Sequence, residues 1–201
     1  MDTDQPLLNS AKMMDKEALV KIFDLYSVAL YRYALRLCGD PLRADQIVGD
    51  VFAKLLEQFA AGKGPRDNLR SYLFESTYNR LIDDARSTRR WMSIEIMPEL
   101  RAESNTMFPD WEDRILFKQV LHILYNELTA DQRDVIILRF LEEFSIHETA
   151  AIMRKQENHV RVLQNRAIAV LRRSLETYER PEMMKEGSAP SIRKISKAFG
   201  G

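Results

Sequence analysis

Hydrophobic residues along this chain return every three or four positions and rarely every second one. That is the period of helices with one buried face, and it predicts an all-α protein. A first helix is expected over 16–38, capped by Asp15, with Ile22, Leu25, Tyr26, Ala29, Tyr33 and Leu37 facing inward and Gly39 ending it. Asp40-Pro41 restarts the chain, because Asp accepts from the free N–H groups of a helix start and Pro suits the first helical position. The second helix carries Ala44, Ile47, Val48, Val51, Phe52, Leu55, Leu56 and Phe59 as a regular inward ladder. Gly49 sits inside it at a cost of about 1 kcal/mol relative to Ala. Either another backbone approaches there, or it is a neutral surface glycine. Residues 60–68, AAGKGPRDN, form a loop by composition, and a third helix is expected over 69–90.

The second half repeats the logic at a finer scale. A helix is expected over 114–127, then a T-x-x-Q capping box at Thr129–Gln132 and a helix to about Leu141. Ser145–Glu148 gives an S-x-x-E box, a short helix to Met153, a tight turn at Arg154-Lys155-Gln156, and a last helix to about Tyr178. A short helix joined by a three- or four-residue turn to a longer one describes a helix-turn-helix. The pattern therefore divides the chain into a loose leader (1–15), a helical unit (16–91), a linker (92–112), a second helical unit (113–177) and an extension (178–201).

Charge sharpens this picture. The chain holds 30 basic and 30 acidic side chains, so it does not coat nucleic acid by bulk attraction. The signs are unevenly placed. The linker region holds Glu95, Glu99, Glu103, Asp110, Glu112 and Asp113 against Arg101 alone. From Arg154 to Arg173 there are six bases (Arg154, Lys155, Arg161, Arg166, Arg172, Arg173) and one acid, Glu157. On the last helix Val160, Leu163, Ala167, Val170 and Leu171 are expected inward, leaving Glu157, Asn158, Arg161, Gln164, Asn165 and Arg172 outward. Asn and Gln suit adenine edges and Arg suits guanine edges in a major groove. A charged, solvated helix is the plain alternative. The third helix interleaves Arg70, Arg80, Arg86, Arg89 and Arg90 with Tyr72, Phe74 and Tyr78. That mixture suits single-stranded nucleic acid, or else rings in a core beneath a solvated face.

Other chemistries find little support. Cys38 is the single cysteine, and His122, His147 and His159 match no metal-ligand spacing, so neither disulfide nor metal nor other cofactor is expected. The acidic start MDTDQPLLNS is not a secretory signal, and no apolar run reaches the roughly 20 residues of a membrane span. The expectation is a cytoplasmic protein without membrane insertion.

Two distant stretches then agree. LYRYALRLCGDPLRADQIVGDVFAKLLEQ (30–58) with LRSYLFESTYNRLIDDAR (69–86) resembles region 2 of RNA polymerase sigma factors of the extracytoplasmic-function (ECF) group in the sigma-70 family. LTADQRDVIILRFLEEFSIHETAAIMRKQENHVRVLQNRAIAVLRRSLE (128–176) resembles their region 4. The resemblance implies a non-enzymatic initiation factor that binds core polymerase, directs it to promoters and helps melt the −10 element. It assigns Gln46, Gly49, Asp50 and Lys54 to the clamp helices of the largest polymerase subunit. It assigns Lys63, Arg66, Asn68, Tyr72, Tyr78, Asn79, Arg80 and Arg86 to the unpaired −10 strand. Arg154, Lys155, Glu157, Asn158, His159, Arg161, Asn165 and Arg172 fall to the −35 duplex. The linker is similar to the segment that occupies the path of exiting RNA. Implied partners are core polymerase, including its flap region, promoter DNA and, where one exists, an anti-sigma factor.

The chain departs from the family at Arg154 and Lys155, where many members have Gly and an apolar residue, and at Ser76-Thr77-Tyr78, which is more polar than usual. Two other readings compete. One is a stand-alone helix-turn-helix regulator that binds duplex DNA as a dimer. The other is a helical enzyme with carboxylates such as Asp83-Asp84 or Asp45 and Asp50 at a metal, which lacks any accompanying histidine. In the extension, Ile192, Ile195 and Phe199 share one helical face with Arg193, Lys194 and Lys197 around it, which reads as a docking helix or a frayed end.

Overall fold

The computed structural model describes residues 5–87 and 111–179, with side chains described over 5–83 and 115–177. The linker between 88 and 110, the extension from 180 and the side chains of Arg86, Arg89 and Arg90 lie outside the described residues. The described chain is helical, in two units. The first contains α1 (Gln5–Lys12), α2 (Lys16–Cys38), α3 (Pro41–Ala60) and α4 (Leu69–Ser87). The second contains α5 (Trp111–Asn126), α6 (Ala130–Ile136), α7 (Ile146–Ile152) and α8 (Glu157–Glu179), with a π-helical turn over Ile137–Leu141 continuing α6.

In the first unit the ends of the helices are fixed by local chemistry. The Asp15 carboxylate accepts from the Glu17 N–H at 2.9 Å, and Asp40 accepts from the Arg43 N–H at 3.1 Å. Gly39 closes α2 in the left-handed region (φ 69°), donating to the Leu35 carbonyl at 2.8 Å. With the ends set, α2 buries Ile22, Tyr26, Leu30, Tyr33 and Leu37, and α3 buries Ala44, Ile47, Val48, Val51, Leu55 and Phe59. α4 packs on both, placing Phe74 against Tyr33 with ring centroids 5.0 Å apart. Each fully buried side chain of this size contributes roughly 1.5–3 kcal/mol.

Two expected core positions are not in the core. Leu25 is 55% exposed and Leu56 is 41% exposed. At about 100° per residue each lies roughly 100° from the centre of its helix's buried stripe, so a ladder of i+3 and i+4 steps included them one step too generously. The leader is also more ordered than expected. Residues 5–12 form α1, whose Leu8 and Ala11 are buried and which packs on α2 and α3. Two apolar residues three apart, Leu8 and Ala11, seat this short helix, too weak a pattern to stand out in a polar segment.

In the second unit, Thr129 and Gln132 make both bonds of the capping box, at 3.0 and 3.4 Å. Leu121, Ile123, Leu124 and Leu128 pack with Ile136 and with Ala167, Leu171 and Leu175 of α8. The helix expected to run to Leu141 widens at its end, where the Glu142 N–H reaches back five residues to the Ile137 carbonyl. Arg139 on that turn donates to the Phe144 carbonyl and, at 3.1 Å, to the Gln164 side chain of α8. It thus ties the turn to the last helix.

This core also contains charge. Arg133 and Asp134 are both buried, with the Arg133 guanidinium 5.2 Å from the Tyr125 ring centroid. Burial pushes the Asp134 carboxyl up to about 7, with neighbouring Arg133 pulling the other way. Between about pH 4 and about pH 7 the folded chain keeps a proton that the unfolded chain releases, so this group's contribution to stability falls as pH rises through that window. Each unit of pH there is worth up to about 1.4 kcal/mol. Asp134→Asn should therefore gain stability relative to the parent as pH rises from 4 to 7, read as urea midpoints. Parallel pH profiles for the two chains would show that another group is responsible.

Candidate nucleic-acid interface

α7, the turn after it and α8 form the predicted helix-turn-helix. The Ser145 hydroxyl accepts from the Glu148 N–H at 3.1 Å, and the Glu148 carboxylate accepts from the Ser145 N–H at 2.8 Å. This box sets where α7 begins. At the turn Arg154 adopts a left-handed backbone (φ 52°) and the Lys155 N–H returns to the Ala150 carbonyl at 2.9 Å. A β-carbon disfavours this conformation, which Gly adopts freely, so Arg154 holds it at some cost. The Lys155 ammonium pairs with Asp131 at 3.0 Å, which anchors the turn to the start of α6.

Burial of Val160, Leu163, Ala167 and Leu171 on one side of α8 leaves Asn158, His159, Arg161, Asn165 and Arg172 exposed on the other. Arg161 donates to the Glu157 carboxylate at 3.0 Å and to the Asn158 side-chain oxygen at 3.1 Å. Glu157 also bonds the His147 ring at 3.1 Å, and that contact, with Arg161 beside it, holds the Glu157 carboxyl below its ordinary range. Gln164, expected to face outward, is half-buried and taken by Arg139. His147 and Arg139 were not picked from the sequence. The one is hidden inside a capping box and the other is a single polar residue in an apolar run.

In the first unit Gln46, Gly49, Asp50 and Lys54 are all exposed along one face of α3. A β-carbon built on Gly49 would meet nothing within 4 Å, so no packing inside the chain requires glycine there. Beside this face Phe23 tilts against Phe52 with centroids 4.9 Å apart, and both Phe23 and Leu56 leave apolar surface open. Asp50 is paired with Arg80 of α4, whose Nε and Nη2 both lie 2.9 Å from one carboxylate oxygen.

The 61–68 loop is held from several sides. Gly62 and Gly64 have φ of 66° and 110°, the Lys63 N–H reaches the Gln58 carbonyl at 2.7 Å, and the Asn68 side chain caps α4 by accepting from the Ser71 N–H at 3.1 Å. Gln5 of α1 donates to the Arg66 carbonyl at 3.1 Å, an anchor the sequence did not reveal. Lys63, Arg66 and Asn68 are exposed, and Tyr72 and Asn79 are half-buried. Tyr78 is a correction: at 6% exposure its ring belongs to the core and offers no face to a base. Phe74 is likewise internal, with Arg70 lying 5.2 Å over its ring. Among the described residues no cluster of three His, Cys, Asp or Glu suits a metal ion, and no helix is long and apolar enough to cross a membrane.

Comparison with known proteins matches residues 22–91 to the model for Sigma-70 region 2 and residues 126–173 to that for Sigma-70, region 4. The chain is 26% identical over 172 residues to the ECF RNA polymerase sigma factor BldN of Streptomyces coelicolor, covering 84% of this chain and 64% of BldN. It is 26% identical over 177 residues to the ECF RNA polymerase sigma factor SigX of Bacillus subtilis, covering 85% of this chain and 90% of SigX. Among solved structures it resembles CnrH in complex with the cytosolic domain of CnrY, with TM-score 0.63, 21% identity, and coverage of 88% of this chain and 99% of CnrH. It also resembles the Bartonella quintana sigma factor RpoE in complex with the anti-sigma factor NepR, with TM-score 0.56, 23% identity, and coverage of 78% and 95%.

Because Gly49 meets no neighbour, Gly49→Ala should stabilise the isolated chain by about 1 kcal/mol through helix propensity alone. Chemical denaturation measures this directly, and a loss of stability would mean that the glycine serves the fold itself.

Proposed function

The chain belongs to the sigma-70 family, with region 2 in its first unit and region 4 in its second, and from that premise we propose how its surfaces divide the work of an ECF sigma factor. Such a factor initiates transcription as a subunit of RNA polymerase and performs no catalysis itself. In this reading the α3 face of Gln46, Gly49, Asp50 and Lys54 docks on the clamp helices, with the open apolar edge at Phe23 and Leu56 beside it. The second unit meets the flap region, and the acidic linker follows the path of RNA. The setting is the cytoplasm, where the polymerase works.

The 61–68 loop and α4 hold the unpaired −10 strand. Lys63 and Arg66 supply cations, Tyr72 supplies a ring, and Asn68 and Asn79 supply amides. Arg86 joins them by resemblance, and Arg80 stands at the border with the polymerase face. α8 enters the −35 major groove with Arg161 and Asn165 at base edges, while Arg154, Lys155, His159 and Arg172 lie toward the backbone. Glu157 and Asn158 sit beside Arg161. An anti-sigma factor for this chain would compete for the α3 face. The single observation that carries the reading is the ordered pair of region 2 and region 4 in one helical chain. It does not favour a stand-alone dimeric regulator.

Reconstitution with core polymerase of the source organism, followed by sequencing of transcript 5′ ends, tests the reading and yields the promoter. Tight binding to free duplex without polymerase would overturn it. Two variants then separate the steps. Tyr72→Ala should slow opening and be rescued by a pre-melted −10 bubble, since a stacked base is worth about 1–3 kcal/mol. Asp50→Ala should fail to bind polymerase and gain nothing from the bubble. Tyr78→Ala, by contrast, should unfold region 2 by roughly 3–5 kcal/mol, a loss read in thermal melts and untouched by any template. For the −35 element, Arg161→Ala or Asn165→Ala should cost about 1–3 kcal/mol of preference at one base pair, while Arg172→Ala should weaken all promoters alike.

A further inference from the structure

The one acid between Arg154 and Arg173 calls for a reason. A carboxylate facing a phosphate backbone opposes binding, so Glu157 reduces the attraction that Arg154, Lys155, Arg161, Arg166, Arg172 and Arg173 build. Its place in the first turn favours the helix dipole, but any acid in that turn would do the same. Its partners are more particular. One carboxylate oxygen of Glu157 bonds the His147 ring of α7 at 3.1 Å, and the other bonds Nη2 of Arg161 one turn along α8 at 3.0 Å. The second terminal nitrogen of Arg161 is bonded by Asn158 at 3.1 Å.

A free arginine side chain explores many rotamers, and ordering it on DNA carries an entropic cost. Here both ends of the guanidinium fork are already engaged, from the same helix. A guanidinium has further N–H groups, so a held fork still presents donors toward a guanine edge. His147 matters because it comes from the other helix of the motif and fixes the carboxylate that fixes the arginine.

Resting on the reading of α8 as the −35 helix, the geometry points to Glu157 as a positioning residue for base selection, held in place by His147 and acting through Arg161. Neither side chain reads a base in this assignment. Its effect is on preference at the base pair that Arg161 meets, and it vanishes when Arg161 is gone.

The test uses full-length protein assembled with core polymerase on duplexes randomised across the −35 element above a fixed −10 element. Sequencing of the bound pool gives preference at each position. Arg161→Ala should abolish preference at one base pair. Glu157→Ala should lower preference at that same pair by roughly 5-fold while raising affinity for all sequences, because one negative charge is removed. His147→Ala should lower it by a smaller factor without the general rise in affinity. In the Arg161→Ala background both changes should leave preference unaltered. His147 and Glu157 are not core residues, so both variants are expected to stay folded, which thermal melts check. Uniformly stronger binding of Glu157→Ala with intact preference would overturn the inference, leaving Glu157 as a charge only. So would a changed preference at a different base pair, or an undiminished effect in the Arg161→Ala background, since Glu157 would then read DNA itself. If Arg161→Ala leaves every −35 preference intact, the assignment of Arg161 as a base reader fails first and carries this inference with it.

Discussion

The exposed faces of α3 and α8 are set by what lies beneath them. A helix has one rotational phase, and burying Val160, Leu163, Ala167 and Leu171 fixes it for α8, just as Ile47, Val51 and Leu55 fix it for α3. Once the phase is set, Arg161 and Asn165, or Gln46 and Asp50, have no choice but to face away. The caps add the second coordinate. Asp40 and Ser145 decide at which residue their helices begin, and so how far along the axis each exposed side chain stands. Phase and origin together set where the exposed polar groups of both helices stand before any bond between them forms.

Electrostatics then separates affinity from selectivity. A chain of zero net charge has little long-range pull on a polyanion. Six basic residues cluster between Arg154 and Arg173 against one acid, and the charge over the rest of the chain offsets them. Free protein therefore has little reason to sit on random DNA, and in the proposed reading the polymerase brings the α8 face and the 61–68 loop to the promoter together. The short-range ion pairs Asp50–Arg80 and Asp131–Lys155 are partly exposed, each worth about 1 kcal/mol or less. They orient groups more than they hold the fold.

Most of the fold was legible because its signals are local. A capping Asp or Ser and an i+3, i+4 ladder each occupy a few consecutive residues, and the structure places α2, α3, α7 and α8 where those signals put them. What could not be read is non-local. Nothing near Gln5 announces that its amide will meet Arg66, and nothing near Arg139 announces Gln164, because both pairings exist only after helices pack. Tyr78 failed for a related reason. Its neighbours Arg80 and Asn79 are polar, and only the packing of α4 against α2 and α3 decides that the ring turns inward. Leu25 and Leu56 erred the other way, as apolar residues on the shoulder of a stripe whose width a sequence does not reveal.

The bond from Gln5 to the Arg66 carbonyl has a practical reach beyond its strength. α1 lies upstream of residue 22, where the match to region 2 begins, yet it braces the loop in the middle of that region. The boundary drawn by family likeness and the boundary drawn by mechanics are therefore different lines. A chain trimmed to the first line, or one fused to a bulky partner at its start, would keep every residue of the loop while losing the strut behind it. Work on trimmed or fused versions would then report the behaviour of a looser loop than the one this protein carries.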